Sequence, residues 1–218
     1  MYNVIFNSGF IGLLIWLLLF ITSTAAVAFI IRCAWILRRK RFASPVKLMP
    51  LLKAGKWDDA YAFCEENPTV TMRIAGTILL TAHSKNKTQR QELAVVMLDK
   101  EVRAILRWIN TLSLCGNIAP MLGLLGTVTG MVDAFMGLGT AMGPEKASIL
   151  AISISQALYT TAAGLLIAVP TITFSVIFRN LLEKRAETVS ETIDQVLEAI
   201  PEPEAPRPVY RSTDTVKI

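Results

Sequence analysis

The polar side chains of one long apolar segment, residues 148–178, are the groups in this sequence best suited to chemistry. At about 100° per residue on an α-helix, most of them fall in one stripe about 100° wide. Hydroxyl and amide groups bind water and cations, and they also hydrogen-bond across membrane helices. The stripe is either a pore-facing or partner-facing surface or plain interhelical bonding, and we favour the first. It contains Ser153, Gln156, Thr160, Gly164, Thr171 and Ser175, with Thr161 at its edge.

Titratable groups are missing from this segment. No Asp, Glu, Lys or Arg lies between Ala147 and Phe178. A path for protons needs a titratable group, so we expect another protein to supply it. Asp133, in the preceding apolar segment, lies about one turn from Gly137. It is either a solvated residue at the outer mouth or an ion-carrying one, and we favour the first.

That preceding segment, Gly116 to Gly137, carries glycines at a strict spacing of seven residues. Small residues at helical spacing form a groove in which another helix backbone can lie close. Proline inside a helix removes a hydrogen bond and predicts a kink. We therefore predict helix packing at Gly123, Gly126, Gly130 and Gly164, and kinks at Pro120 and Pro170.

Composition excludes an ordinary soluble domain. Of the 218 residues, 53% are hydrophobic and 18% charged, and the mean hydropathy is +0.48. Of the 22 Lys and Arg residues, 15 lie between Arg32 and Arg107 and six from Arg179 onward, the positive-inside distribution of an inner-membrane protein. The three cysteines form no CxxC, and no cofactor motif, metal spacing or catalytic constellation is present, so we expect no cofactor, no metal and no enzyme activity.

These patterns predict an all-α integral membrane protein with three transmembrane helices, two of them extended far into the cytoplasm, plus small cytoplasmic helices. From Thr88 to Gly116 nothing interrupts the helical pattern, so a single helix of about 45–50 residues is expected. The predicted segments are a periplasmic N-terminus (1–8), helix 1 (9–31), a cytoplasmic helical domain (32–110), helix 2 (111–137), a periplasmic loop (138–147), helix 3 (148–178), a cytoplasmic extension (179–200) and a disordered tail (201–218).

The motifs APMLGLLGTVTGMVDAF (119–135) and ISQALYTTAAGLLIAVP (154–170) resemble the ExbB/TolQ/MotA family, and its ExbB/TolQ branch most closely. The resemblance covers about residues 45–185 with the same three-span plan. It implies an oligomeric, typically pentameric, helical funnel in the bacterial inner membrane, with a periplasmic N-terminus and a cytoplasmic C-terminus. It also implies an ExbD/TolR-like partner whose single membrane helix carries an aspartate.

In such a complex, proton flow would drive force that a TonB- or TolA-like protein carries to the outer membrane. The resemblance maps the family's path-lining threonines onto Thr127 and Thr161. Together with Gln156, Thr160 and Ser153 from the stripe, these form the predicted ion path. Relatives often carry Glu where this chain has Gln156, which removes a candidate proton carrier from this subunit. The alternative function is a non-conducting oligomeric scaffold that binds a single-span partner helix.

Overall fold

The computed structural model describes residues 9–37, 42, 48–82, 84–140, 143 and 145–201. The predicted N-terminal segment 1–8, His83 and the tail beyond residue 201 lie outside this part of the chain. The described residues form helices and no strand, which confirms the predicted all-α fold. The helices are α1 (Gly9–Ile36), α2 (Leu48–Lys53), α3 (Trp57–Glu66), α4 (Val70–Leu80), α5 (Lys87–Thr140) and α6 (Glu145–Ala199).

Three of these helices, α1, α5 and α6, are long and apolar enough to cross a membrane. Their outward side chains are largely Leu, Ile, Val, Met and Phe, which suits lipid or neighbouring helices rather than water. The prediction of three membrane helices is confirmed.

Helix α5 is continuous over 54 residues, or about 81 Å at the standard rise, so the predicted single long helix is present. Helix α6 runs for 55 residues. Pro120 and Pro170 both lie inside these helices, and the kinks expected there stay predictions. The predicted loop, 138–147, is shorter in the structure: α5 ends at Thr140 and α6 begins at Glu145.

The chain divides into two compact units, and α5 and α6 contribute to both. The transmembrane unit contains the described residues within 1–39 and 101–185, and the second unit those within 40–100 and 186–218. In the second unit a turn at Gly55, with φ of 70°, separates α2 from α3. This left-handed conformation favours glycine.

The second unit has its own apolar core, which includes Ile74 and Ile78 of α4 and Val189 and Val196 of α6. Burial there raises the pKa of the Cys64 thiol to about 11, so this cysteine is mostly protonated and unreactive at neutral pH.

Candidate functional site

Gly123, Gly126 and Gly130 of α5 face α6 of the same chain, and we call this contact the glycine seam. A Cβ atom placed on Gly123 would lie 3.0 Å from the Thr160 carbonyl oxygen, and one on Gly130 would lie 2.9 Å from the Ala157 Cβ. A Cβ on Gly126 would collide with the Thr160 hydroxyl. The two helices therefore pack closely within one subunit.

Gly164 is the glycine of α6 at this seam. A Cβ atom on Gly164 would lie 2.6 Å from the carbonyl oxygen of Ala119 and 3.3 Å from the Cα of Gly123. Because these are backbone atoms, they cannot move aside without shifting a helix. Gly164 and Gly123 thus permit the closest approach of the two backbones.

Two adjacent threonines of α6 cross-link the seam. Thr161 donates its hydroxyl proton to the carbonyl oxygen of Gly123 at 3.0 Å. Thr160 is buried and donates mainly to Ala157 of its own helix at 2.7 Å, with the Gly123 carbonyl oxygen 3.4 Å away. The Gly123 carbonyl is therefore approached from both residues.

Thr127 of α5 lies four residues, or about 6 Å along the helix, beyond Gly123, whose carbonyl oxygen accepts from Thr161. Its hydroxyl donates to the carbonyl oxygen of Leu124 at 2.7 Å, the residue next to the Gly123 acceptor of Thr161. We call Thr127 and Thr161 the threonine pair. Both are partly exposed, and the apolar side chains on the same side of the two helices are exposed as well: Leu124, Val128, Leu158 and Leu165.

A cavity of about 70 Å³ lies on the other side of the seam, between α1, α5 and α6. Three predicted ion-path residues of α6 line it, namely Ser153, Gln156 and Thr160, and Thr160 closes it beside Gly126. Asp133 of α5 lines it as well. Thr129 of α5, a hydroxyl-bearing residue of the segment Gly116 to Gly137 that is not among the predicted ion-path residues, also lines it. Helix α1 contributes Gly12, Ile15 and Trp16.

The structure therefore separates the five predicted ion-path residues into two groups. Thr127 and Thr161 do not line the cavity that contains Ser153, Gln156 and Thr160. At 100° per residue, Thr161 lies about 140° around α6 from Gln156, which places them on different flanks of one helix. Whether either group conducts ions stays a prediction.

The remaining stripe residues serve helix packing. Thr171 and Ser175 are buried, and their hydroxyls donate to carbonyls of their own helix, those of Ile167 at 2.6 Å and Ile172 at 2.8 Å. Such bonds satisfy a hydroxyl inside a membrane helix without a partner helix or water.

At the other end of the transmembrane unit, polar and aromatic contacts tie the three helices together. The Arg32 guanidinium lies 3.9 Å from the centre of the Trp108 ring, and Phe29 lies 6.1 Å from the same residue. Arg179 of α6 donates to the Asn110 side chain of α5 at 2.8 Å. These contacts position α1 and α6 against α5.

The sequence around this site matches a known protein family. Residues 68–193 match the family model described as the MotA/TolQ/ExbB proton channel family. The match covers the whole of the glycine seam, the threonine pair and the α5 and α6 walls of the cavity.

Curated relatives carry related names. The chain is 32% identical over 134 residues to the biopolymer transport protein exbB1 of Vibrio cholerae, covering 62% of this chain and 58% of that protein. It is 30% identical over 122 residues to the biopolymer transport proteins ExbB of Salmonella typhimurium and Pseudomonas putida, covering 54% of this chain and 50% and 37% of those proteins. The chain thus spans about half the length of these relatives.

Proposed function

Because the chain belongs to the MotA/TolQ/ExbB proton channel family, we propose that it is a channel and motor subunit of the bacterial inner membrane. In this proposal an ExbD/TolR-like partner joins it, and the complex converts proton motive force into mechanical work. That work drives outer-membrane transport or envelope maintenance through a TonB- or TolA-like protein. The subunits form a homo-oligomeric funnel, a pentamer by resemblance.

The threonine pair is the observation that carries this proposal. It sits on an exposed flank of α5 and α6 among leucine and valine side chains. An apolar surface with two hydroxyls within about one helical turn of each other suits an apolar helix that carries a single carboxyl group near them. Helix α1 contributes to the cavity on the other side of the seam, whereas this flank is exposed and open to a central partner helix.

The hydrogen bonds of the pair define which form of a carboxyl group it would bind. Thr127 and Thr161 both donate their hydroxyl protons to backbone carbonyls. Each hydroxyl therefore offers only its lone pairs, as hydrogen-bond acceptors, to a carboxyl group of the partner. A protonated carboxyl can donate to such lone pairs, whereas a carboxylate cannot. The pair in this arrangement therefore favours the neutral carboxyl, and ionisation requires a threonine to rotate or water to arrive.

The direct test of this function is proton flux in proteoliposomes that contain the chain and its single-span partner. Replacing the partner's membrane aspartate with asparagine is expected to abolish flux while the complex still assembles. Undiminished flux with asparagine would contradict a mechanism in which the partner carboxyl carries the proton.

One observation favours the alternative of a non-conducting scaffold. The Thr161 hydroxyl bonds across the seam to Gly123, and Thr160 approaches the same carbonyl, so these hydroxyls already join two helices. A scaffold would use the exposed flank only to hold the partner helix. It would bind the partner and pass no protons, which the same proteoliposomes distinguish.

Gln156→Glu is expected to leave partner-dependent flux close to that of the unchanged chain. Gln156 is half-buried beside a cavity, and glutamate has nearly the same shape, so water in that space can solvate the new carboxyl. Gln156→Leu is the control that removes the polar group. Loss of flux in Gln156→Glu together with full complex formation would show that a neutral amide is required here.

The charge distribution supports a topology with the α5–α6 connection in the periplasm and the second unit in the cytoplasm. In a variant without native cysteines, Gly139→Cys is expected to react with a membrane-impermeant thiol reagent in intact cells, and Ser84→Cys is expected to stay unmodified. Both positions are exposed, and no other atoms lie within 4 Å of a Cβ at Gly139. The reverse labelling pattern would overturn this orientation.

A further inference from the structure

The cavity between α1, α5 and α6 is polar, although it lies inside the transmembrane unit. Its walls carry the side chains of Thr129, Asp133, Ser153, Gln156 and Thr160. Its volume of about 70 Å³ exceeds several times the space that one water molecule needs. Apolar cavities of this size stay dry, whereas polar ones hold ordered water.

Two of these side chains need water. The Gln156 amide and the Ser153 hydroxyl have no hydrogen-bond partner in the described part of the chain, and both are half-buried. An unsatisfied amide in a membrane interior is unfavourable because lipid offers no hydrogen bonds. Thr129 donates to carbonyls of its own helix, which leaves its lone pairs free to accept from water.

Measured along α5 and α6 from their connected ends, the cavity lies about 10 to 22 Å into the transmembrane unit. Asp133 is exposed and lies seven residues before the end of α5 at Thr140, or about 10 Å along the helix. Gln156 and Thr160 lie 11 and 15 residues beyond Glu145, or about 16 and 22 Å. A hydrocarbon core is about 30 Å thick, so the deep end lies past its midpoint.

The deep end of the cavity is separated from the threonine pair by a single layer of hydrogen-bonded groups. Thr160, which closes the cavity, and Thr161, which belongs to the pair, both approach the Gly123 carbonyl oxygen, at 3.4 and 3.0 Å. The Gly126 and Gly130 backbones form part of the same wall without side chains. Water in the cavity is therefore separated from the pair only by this hydrogen-bonded layer.

From these observations we propose that each subunit contains its own water-filled access route, leading from the α5–α6 end of the membrane to the level of the threonine pair. Protons reach the partner carboxyl through this cavity, along water held by Ser153 and Gln156, and not only along the surface between chain and partner. To cross the layer, the Thr160 and Thr161 hydroxyls rotate away from the Gly123 carbonyl, and each accepts a proton on a lone pair as it releases its own toward the partner. The inference rests on the proposed channel function for its role, but its hydration can be measured without any flux.

The test uses Ser153→Cys in the full chain without native cysteines, reconstituted with its partner. A membrane-impermeant cationic thiosulfonate is added on the side of the α5–α6 connection. Ile152→Cys is the matched control, because it lies one residue away at nearly the same depth, on an exposed flank about 100° around α6 from Ser153 and about 180° from Thr161. Ser153→Cys is expected to react at least about tenfold faster, since a thiolate forms only where water solvates it.

Flux is then measured before and after modification. Attaching the cationic group at Ser153→Cys is expected to abolish most of the partner-dependent proton flux, whereas modified Ile152→Cys keeps it. Equal reaction rates at the two positions would show that the cavity is not hydrated. Fast modification of Ser153→Cys with unchanged flux would show that the cavity holds water but is not on the proton route. A complete lack of flux before modification would instead contradict the proposed channel function.

Discussion

Replacing Thr127 and Thr161 together with valine is expected to lower partner-dependent proton flux by about tenfold or more, while the oligomer and the partner complex survive. Valine keeps the shape of threonine and removes the hydroxyl. The pair would lose the hydrogen bond that it accepts from the neutral carboxyl and the one that a rotated threonine donates to the carboxylate. A hydrogen bond to a charged group is worth about 1.5–3 kcal/mol, which is enough for a change of this size. Each single variant is expected to show a smaller loss.

Stability should change little in this variant. The Thr161 bond across the seam is one interhelical hydrogen bond, and such bonds contribute about 0.6 kcal/mol on average in a membrane protein. The matched control replaces Thr111 and Thr173 with valine, one on each helix. Their hydroxyls also donate to carbonyls of their own helix, but both lie away from the pair. Equal flux in the two double variants would contradict a role for the pair.

Gly126→Leu is expected to destabilise the protein by about 1–3 kcal/mol through overpacking of the seam. A Cβ atom at Gly126 would collide with the Thr160 hydroxyl and lie 2.7 Å from the Thr160 Cβ. The larger leucine would separate α5 from α6 in each subunit and thereby weaken the oligomer. Thermal unfolding and native mass spectrometry of the detergent-purified protein measure the two effects.

Gly139→Leu is the control for this variant, because it places the same side chain on the same helix at a position where the described residues bring no atom, beyond the adjacent helix backbone, within 4 Å of a Cβ. It should leave the unfolding temperature unchanged. Gly164→Ala provides a graded comparison, since even its Cβ would meet the Ala119 carbonyl at 2.6 Å. An unchanged unfolding temperature in both Gly126→Leu and Gly164→Ala would contradict close backbone packing at the seam.

Sequence patterns were sufficient for the helices themselves. Long apolar runs and the absence of helix-breaking residues before Gly116 predicted three membrane helices and one continuous α5, and the structure confirms both. The seven-residue glycine spacing predicted a groove but could not identify the helix that fills it. That helix is α6 of the same chain.

The polar stripe shows where such patterns fail. An angle around a helix gives the flank of a residue but not the element that covers it, so Gln156 and Thr161 were grouped in one path. The cover is helix α1, which contributes Gly12 and Trp16 to the cavity beside Gln156. Nothing in the sequence indicated this contact, because α1 is apolar on nearly every side and offers no preferred face.

Proton flux in proteoliposomes with and without the single-span partner tests the central claim most directly, namely that this chain conducts only through a carboxyl supplied by another protein. Its third membrane helix carries no Asp, Glu, Lys or Arg between Ala147 and Phe178. We therefore expect no flux from the chain alone and clear flux once the partner is present. Full flux without the partner, or none with it in an assembled complex, would contradict this account.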